Sequence, residues 1–114
     1  MKTLSLGTAI FALASIASAL SDQEKNALTK FNSRYHPEDH NVATLITELS
    51  EYSVNAGLSS TKAKFDQKQY SAAGKDLVAH IASIKSDPLV QKGKQYSMPY
   101  MMLNDCVNEL RSKV

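Results

Sequence analysis

A chain with one cysteine cannot close a disulfide on itself, and this sequence carries only Cys106. The constraint is sharp because residues 1–19 read as an export leader. Lys2 gives a basic start, the run from Leu4 to Ala19 holds no charge, and Ala17-Ser18-Ala19 forms a small-residue cleavage site. Small exported domains commonly draw stability from disulfides. Residues 20–114 must instead rely on packed apolar surface, a bound partner or self-association. The sequence thus predicts a secretory signal peptide over 1–19 and a single helical domain over 20–114. Such a protein is secreted or extracellular, with the cell wall as one place of retention.

Charge narrows the partners. The chain has 13 basic and 11 acidic residues, and losing Lys2 with the leader leaves a net charge of +1. So small a charge excludes a strong attractive field for nucleic acid. Beyond the leader, no apolar run approaches the roughly 18 residues of a membrane-spanning helix.

Apolar residues recur at helical spacing along the whole chain, and strand-like alternation does not persist. Ser21-Asp22-Gln23-Glu24 is a capping box, with serine as the cap and glutamate three residues on. The helix it opens carries Ala27, Leu28, Phe31 and Tyr35 on one side and ends by His36-Pro37, since a residue before proline avoids the α region. Val42, Leu45, Ile46, Leu49 and Ala56 mark a second helix. Its first turn can begin at Pro37, and Gly57 with Leu58 signals its end. A third helix, capped by Ser59 or Ser60, holds Ala63 and Phe65 and breaks near Gln67 to Gln69. A fourth, from Ser71 to Lys85, buries Ala73, Leu77, Ile81 and Ile84. Gly74 within it costs about 1 kcal/mol relative to alanine and permits a close helix crossing. Pro88 to Lys92 forms a short helix ended by Gly93. The last helix starts between Ser97 and Pro99, with Tyr100, Leu103, Val107, Leu110 and Val114 as its seam. The prediction is an all-α fold, a small bundle of four to five helices, with Leu45, Leu49, Leu77, Ile81, Leu103, Val107 and Leu110 in the core.

Three groups of residues carry candidate chemistry. His36 and His40 are four apart, a spacing that can hold zinc, copper or nickel on neighbouring turns. Pro37 stands where the metalloprotease signature needs glutamate. The plain alternative is a solvated, acidic first turn with Glu38 and Asp39. Cys106 shares an apolar helix face with Leu103, Val107 and Leu110, so a buried thiol is the reading to set against an intermolecular disulfide. The segment holding Tyr96, Met98, Tyr100, Met101 and Met102 gathers every methionine outside the leader. Methionine adapts to irregular surfaces, so this cluster suits a groove for a partner or an apolar ligand, or core packing at a helix start.

Catalytic signatures are missing. There is no nucleophile elbow, no phosphate-binding glycine loop and no dinucleotide fingerprint. The sequence therefore predicts a non-enzyme without a cofactor.

The segment Ala63 to Ala73, with Tyr70, Ala73 and Leu77, resembles the middle of one tetratricopeptide repeat. A second repeat is not visible, and such repeats need neighbours. What the resemblance implies is a helix–turn–helix hinge near Tyr70. The leader and overall size are similar to small secreted fungal proteins, including cell-wall mannoproteins of the seripauperin type. That group's tryptophan-containing motif has no counterpart in a chain without tryptophan.

The leading expectation is a small secreted, non-catalytic helical protein that binds a partner at a cell surface, cell wall or host target. One alternative is an extracellular carrier of an apolar small molecule in a groove of the bundle. Another is a metal binder or enzyme using His36 and His40. An enclosed apolar cavity favours the carrier, an exposed apolar patch favours the interaction module, and a third ligand beside both histidines favours the metal.

Overall fold

The structure, a computed structural model, describes residues 20–38 and 41–114. Residues 1–19, for which the sequence predicts a leader, and His40 lie outside the described residues. Those residues form α1 (Asp22–Arg34), α2 (Val42–Asn55), α3 (Ser59–Asp66), α4 (Tyr70–Ile84), a short 3-10 helix (Pro88–Val90) and α5 (Ser97–Lys113). The fold is an all-α bundle, and no strand occurs among the described residues.

Each helix begins and ends for a local reason. At α1 the capping box is complete: Ser21 Oγ accepts from the Glu24 amide at 3.0 Å, and Glu24 Oε1 accepts from the Ser21 amide at 2.9 Å. Arg34 closes the last turn, where a cation suits the exposed carbonyls. It also pairs with Glu51 of α2.

The second helix starts later than Pro37 allows. Pro37 and Glu38 form a turn, and Asn41 is the cap, its Oδ1 accepting from the Thr44 amide at 2.8 Å. An asparagine that satisfies the third amide outcompetes a proline whose only merit is a preset φ. Gly57, at φ 75°, ends α2: its amide donates to Val54 and the Leu58 amide to Ser53. These are the paired bonds of a Schellman turn.

α3 ends with the same pair of bonds, Lys68 to Phe65 and Gln69 to Lys64, but the left-handed position is filled by Lys68 at φ 62°. This turn separates α3 from α4. Within α3 the buried residues are Thr61 and Phe65, while Ala63 is exposed. The 3-10 helix is capped by Asp87, whose Oδ1 accepts from the Leu89 amide at 2.8 Å. Asp87 Oδ2 takes the Leu20 amide at 2.9 Å, tying the start of α1 to the loop before α5.

Packing centres on α5. It touches α1, α2, α4 and the 3-10 helix, while α1, α2, α3 and α4 pack in sequential pairs. Leu28, Leu45, Leu49, Leu77, Leu103 and Leu110 are wholly buried. Each such side chain contributes about 1.5–3 kcal/mol of transfer free energy. All seven leucine, isoleucine and valine positions that the periodicity assigns to the core are buried. Phe31 stacks on Tyr35 with centroids 5.1 Å apart and meets Tyr52 edge-on at 6.1 Å, joining α1 to α2. Gly74 is buried where α4 crosses α5; a Cβ there would lie 3.0 Å from the Arg111 side chain. The crossing expected from Gly74 is present.

Candidate functional site

The residues from Tyr96 to Met102 do not share one exposed side. The first turn of α5 has an inner and an outer side. Tyr96 and Pro99 face the core, and Met102 packs against it from a half-buried position. Met98 and Met101 point outward, 59% and 53% exposed. Met101 and Tyr100 line an open groove of about 440 Å³ between this turn and the 3-10 segment, together with Val90, Gln91, Ser97, Lys85 and Lys92.

The groove follows from the local chain path. Pro88 holds the 3-10 turn, and the Tyr96 amide donates to Leu89 carbonyl at 2.8 Å, closing the loop that carries Lys92. Gln91 Nε2 reaches the carbonyl of Lys85 at 2.8 Å and fastens the same loop to the end of α4. The result is an apolar floor of Val90, Tyr100 and Met101 beside two lysines. No carboxylate lines the groove, and among the described residues neither lysine is held in an ion pair. The methionine and tyrosine content signalled this surface. The lysines carried no sequence signal, because they reach it through the tertiary path of the loop.

The other candidates sit elsewhere. His36 is exposed just after α1, with Nδ1 3.7 Å from Glu38 Oε2. Its proposed partner His40 is outside the described residues. No group of three histidine, cysteine, aspartate or glutamate residues among the described ones is placed to hold a metal.

Cys106 is a free thiol with no exposure, inside α5. Burial pushes its pKa up to about 12, reinforced by the Glu48 carboxylate. It is therefore protonated at neutral pH, and a thiol in that state is a poor nucleophile. Its neighbour Tyr35 is likewise pushed up to about 12 by burial.

A polar cluster that sequence spacing missed lies inside the bundle. Tyr52 Oη and His80 Nε2 are 2.6 Å apart, and His80 Nδ1 lies 3.8 Å from Glu24 Oε2. The carboxylate favours a proton on Nδ1, which leaves Nε2 to accept from the tyrosine. Burial raises the Tyr52 pKa and lowers that of His80, Glu24 opposing the latter. A tyrosine that holds its proton and a histidine that refuses a second one make a neutral hydrogen-bonded pair. Tyr52 is 1% exposed, so the pair lies in the interior of the bundle. No buried side-chain nitrogen or oxygen among the described residues lacks a hydrogen-bond partner. The cluster fixes α1, α2 and α4 against one another.

Comparison with protein-family models, with curated proteins and with solved structures finds no match. No helix among the described residues is long and apolar enough to cross a membrane.

Proposed function

We propose that this is a secreted, non-catalytic helical module that binds a protein partner at a cell surface or wall through the groove at the start of α5. The partner segment presents an apolar side chain flanked by carboxylates. One observation carries this reading: exposed Met101 lies beside Tyr100 and Val90 in an open groove edged by Lys85 and Lys92, with no acidic residue in its lining. An apolar floor takes an aliphatic or aromatic side chain, and lysines at the rim steer and orient carboxylates. The groove is open along one side, which suits a peptide segment better than a small molecule that needs enclosure. The groups with shifted acidity, Tyr52, His80 and Cys106, are buried away from it, which supports a binding role over a catalytic one.

A fluorescent peptide with one leucine between pairs of glutamates tests the reading, with a glutamine-substituted peptide as control. Saturable binding to the wild-type protein is expected. It should weaken at least about tenfold, or ~1.4 kcal/mol, in Met101→Asp and in Lys85→Glu, and fall as salt rises. Equal binding of the acidic and glutamine peptides, or of wild type and both variants, would overturn it.

A further inference from the structure

Asp87 is a carboxylate only 3% exposed, and both of its oxygens organise backbone. One oxygen caps the 3-10 helix through the Leu89 amide at 2.8 Å. The other accepts from the backbone nitrogen of Leu20 at 2.9 Å, across 67 residues of sequence. Leu20 is itself 5% exposed and belongs to the core cluster. The next residue, Ser21, is locked by the capping box of α1, so the Leu20 nitrogen is held from both sides.

That nitrogen is also the one that leader removal would transform. Hydrolysis of the Ala19–Leu20 amide breaks its C–N bond. The hydroxyl of water goes to the Ala19 carbonyl carbon, which becomes a carboxylate, and the Leu20 nitrogen leaves as an ammonium group. A neutral amide donor thereby becomes a full cation at hydrogen-bond distance from a buried anion. The amide bond to Asp87 is already charge-assisted through its acceptor, and the ammonium adds a second full charge and with it a direct Coulomb attraction. Salt does little to screen a buried pair, and deleting one partner of such a pair is strongly destabilising because the other charge is left buried without compensation.

We propose that Asp87 is a receptor for the α-ammonium group of Leu20, so that cleavage after Ala19 completes the core with a buried ion pair. The pair rests on the export reading made above. It couples processing to stability. In the uncleaved chain the Leu20 nitrogen is a neutral amide, so the ion pair and the stability it carries arrive only with cleavage.

The test uses the full chain expressed through a secretory host. N-terminal sequencing of the released protein should begin at Leu20. The purified protein is unfolded in urea, acetylated selectively on its α-amino group and refolded. Acetylation keeps the N–H donor and deletes the charge. The melting temperature should drop by about 5–15 °C in the wild-type protein and by less than about 2 °C in an acetylated Asp87→Asn variant, since the two changes remove the same interaction. The acetylation arm stands alone should Asp87→Asn fail to fold. A wild-type melting temperature unmoved by acetylation, or an equal loss in both proteins, would overturn the ion pair. A released chain beginning at another residue would overturn the proposed processing point while leaving export intact. An intact Met1 chain retained in the cytosol would overturn export itself, and with it the pair.

Discussion

Replacing Tyr52 by phenylalanine removes one oxygen from the middle of the bundle and nothing else. The ring stays, so its edge contact with Phe31 at 6.1 Å persists and no cavity larger than a hydroxyl opens. What is lost is the hydrogen bond to His80 Nε2 at 2.6 Å. His80 is 9% exposed, so water cannot readily replace the donor. An unsatisfied buried acceptor costs about 1–3 kcal/mol. For a domain of this size that corresponds to a fall in melting temperature of about 4–8 °C per kcal/mol, so roughly 8–16 °C at the middle of the range. Circular dichroism melts and urea titrations of Tyr52→Phe at pH 7.5 measure it, with His80 neutral in both chain states. The urea slope should be unchanged, because the same surface is exposed on unfolding. A melting temperature within about 2 °C of wild type would refute the claim that this pair is a stabilising contact in a dry interior.

The same pair sets a pH response. Burial lowers the His80 pKa from 6.5 in the folded chain, so as pH falls below 6.5 the unfolded chain takes up a proton that the folded chain refuses. Stability is full above 6.5 and falls towards the lowered folded value, by at most about 1.4 kcal/mol per pH unit; urea titrations of wild type and His80→Gln from pH 7 to 5 should converge. Lys68→Gly should raise stability by about 1 kcal/mol in thermal melts, because glycine accepts φ 62° without a Cβ clash. Leu103→Ala and Leu49→Ala should each cost about 2–5 kcal/mol by leaving cavities. Met98→Ala and Met101→Ala should cost less than about 1 kcal/mol, since both side chains are more than half exposed; equal losses at all four positions would place the methionines in the core. Cys106→Ser should cost about 1–2 kcal/mol and leave the mass on non-reducing gels unchanged, as a thiol without exposure predicts.

Much of the bundle is written in local pattern. The Ser21 capping box, the Gly57 turn and the stripes of α2, α4 and α5 each depend on residues within a few positions of one another, and each stands where the spacing puts it except at Val114, which lies past the end of α5 and is 49% exposed. Elsewhere two local preferences competed, as Pro37 and Asn41 do for the start of α2. The Lys68 turn has glycine geometry with the wrong residue for it, so only the paired bonds from Lys68 and Gln69 reveal its type. The lining of the candidate groove was legible only in part. Methionine and tyrosine composition marks Tyr100 and Met101, but Tyr96 and Met102 turn inward on the same helix by its rotation, and Lys85 and Lys92 join the groove through a loop. Contacts such as Tyr52 with His80, or Leu20 with Asp87, join residues 28 and 67 positions apart and leave no periodic trace.

The central place of α5 gives this fold a direction in time. The helices that carry Leu28, Leu49 and Leu77 each pack on α5, which supplies the buried Leu103, Val107 and Leu110 and is the last helix described. During synthesis from the amino end, α1 to α4 emerge as amphipathic segments whose shared apolar surface is still unclosed. Helical hairpins can flicker between sequential neighbours, yet none has a sealed interior. A nascent chain arrested before about residue 103 should therefore be protease-sensitive along its whole length, and full protection should appear in one step as the turns of α5 clear the ribosome.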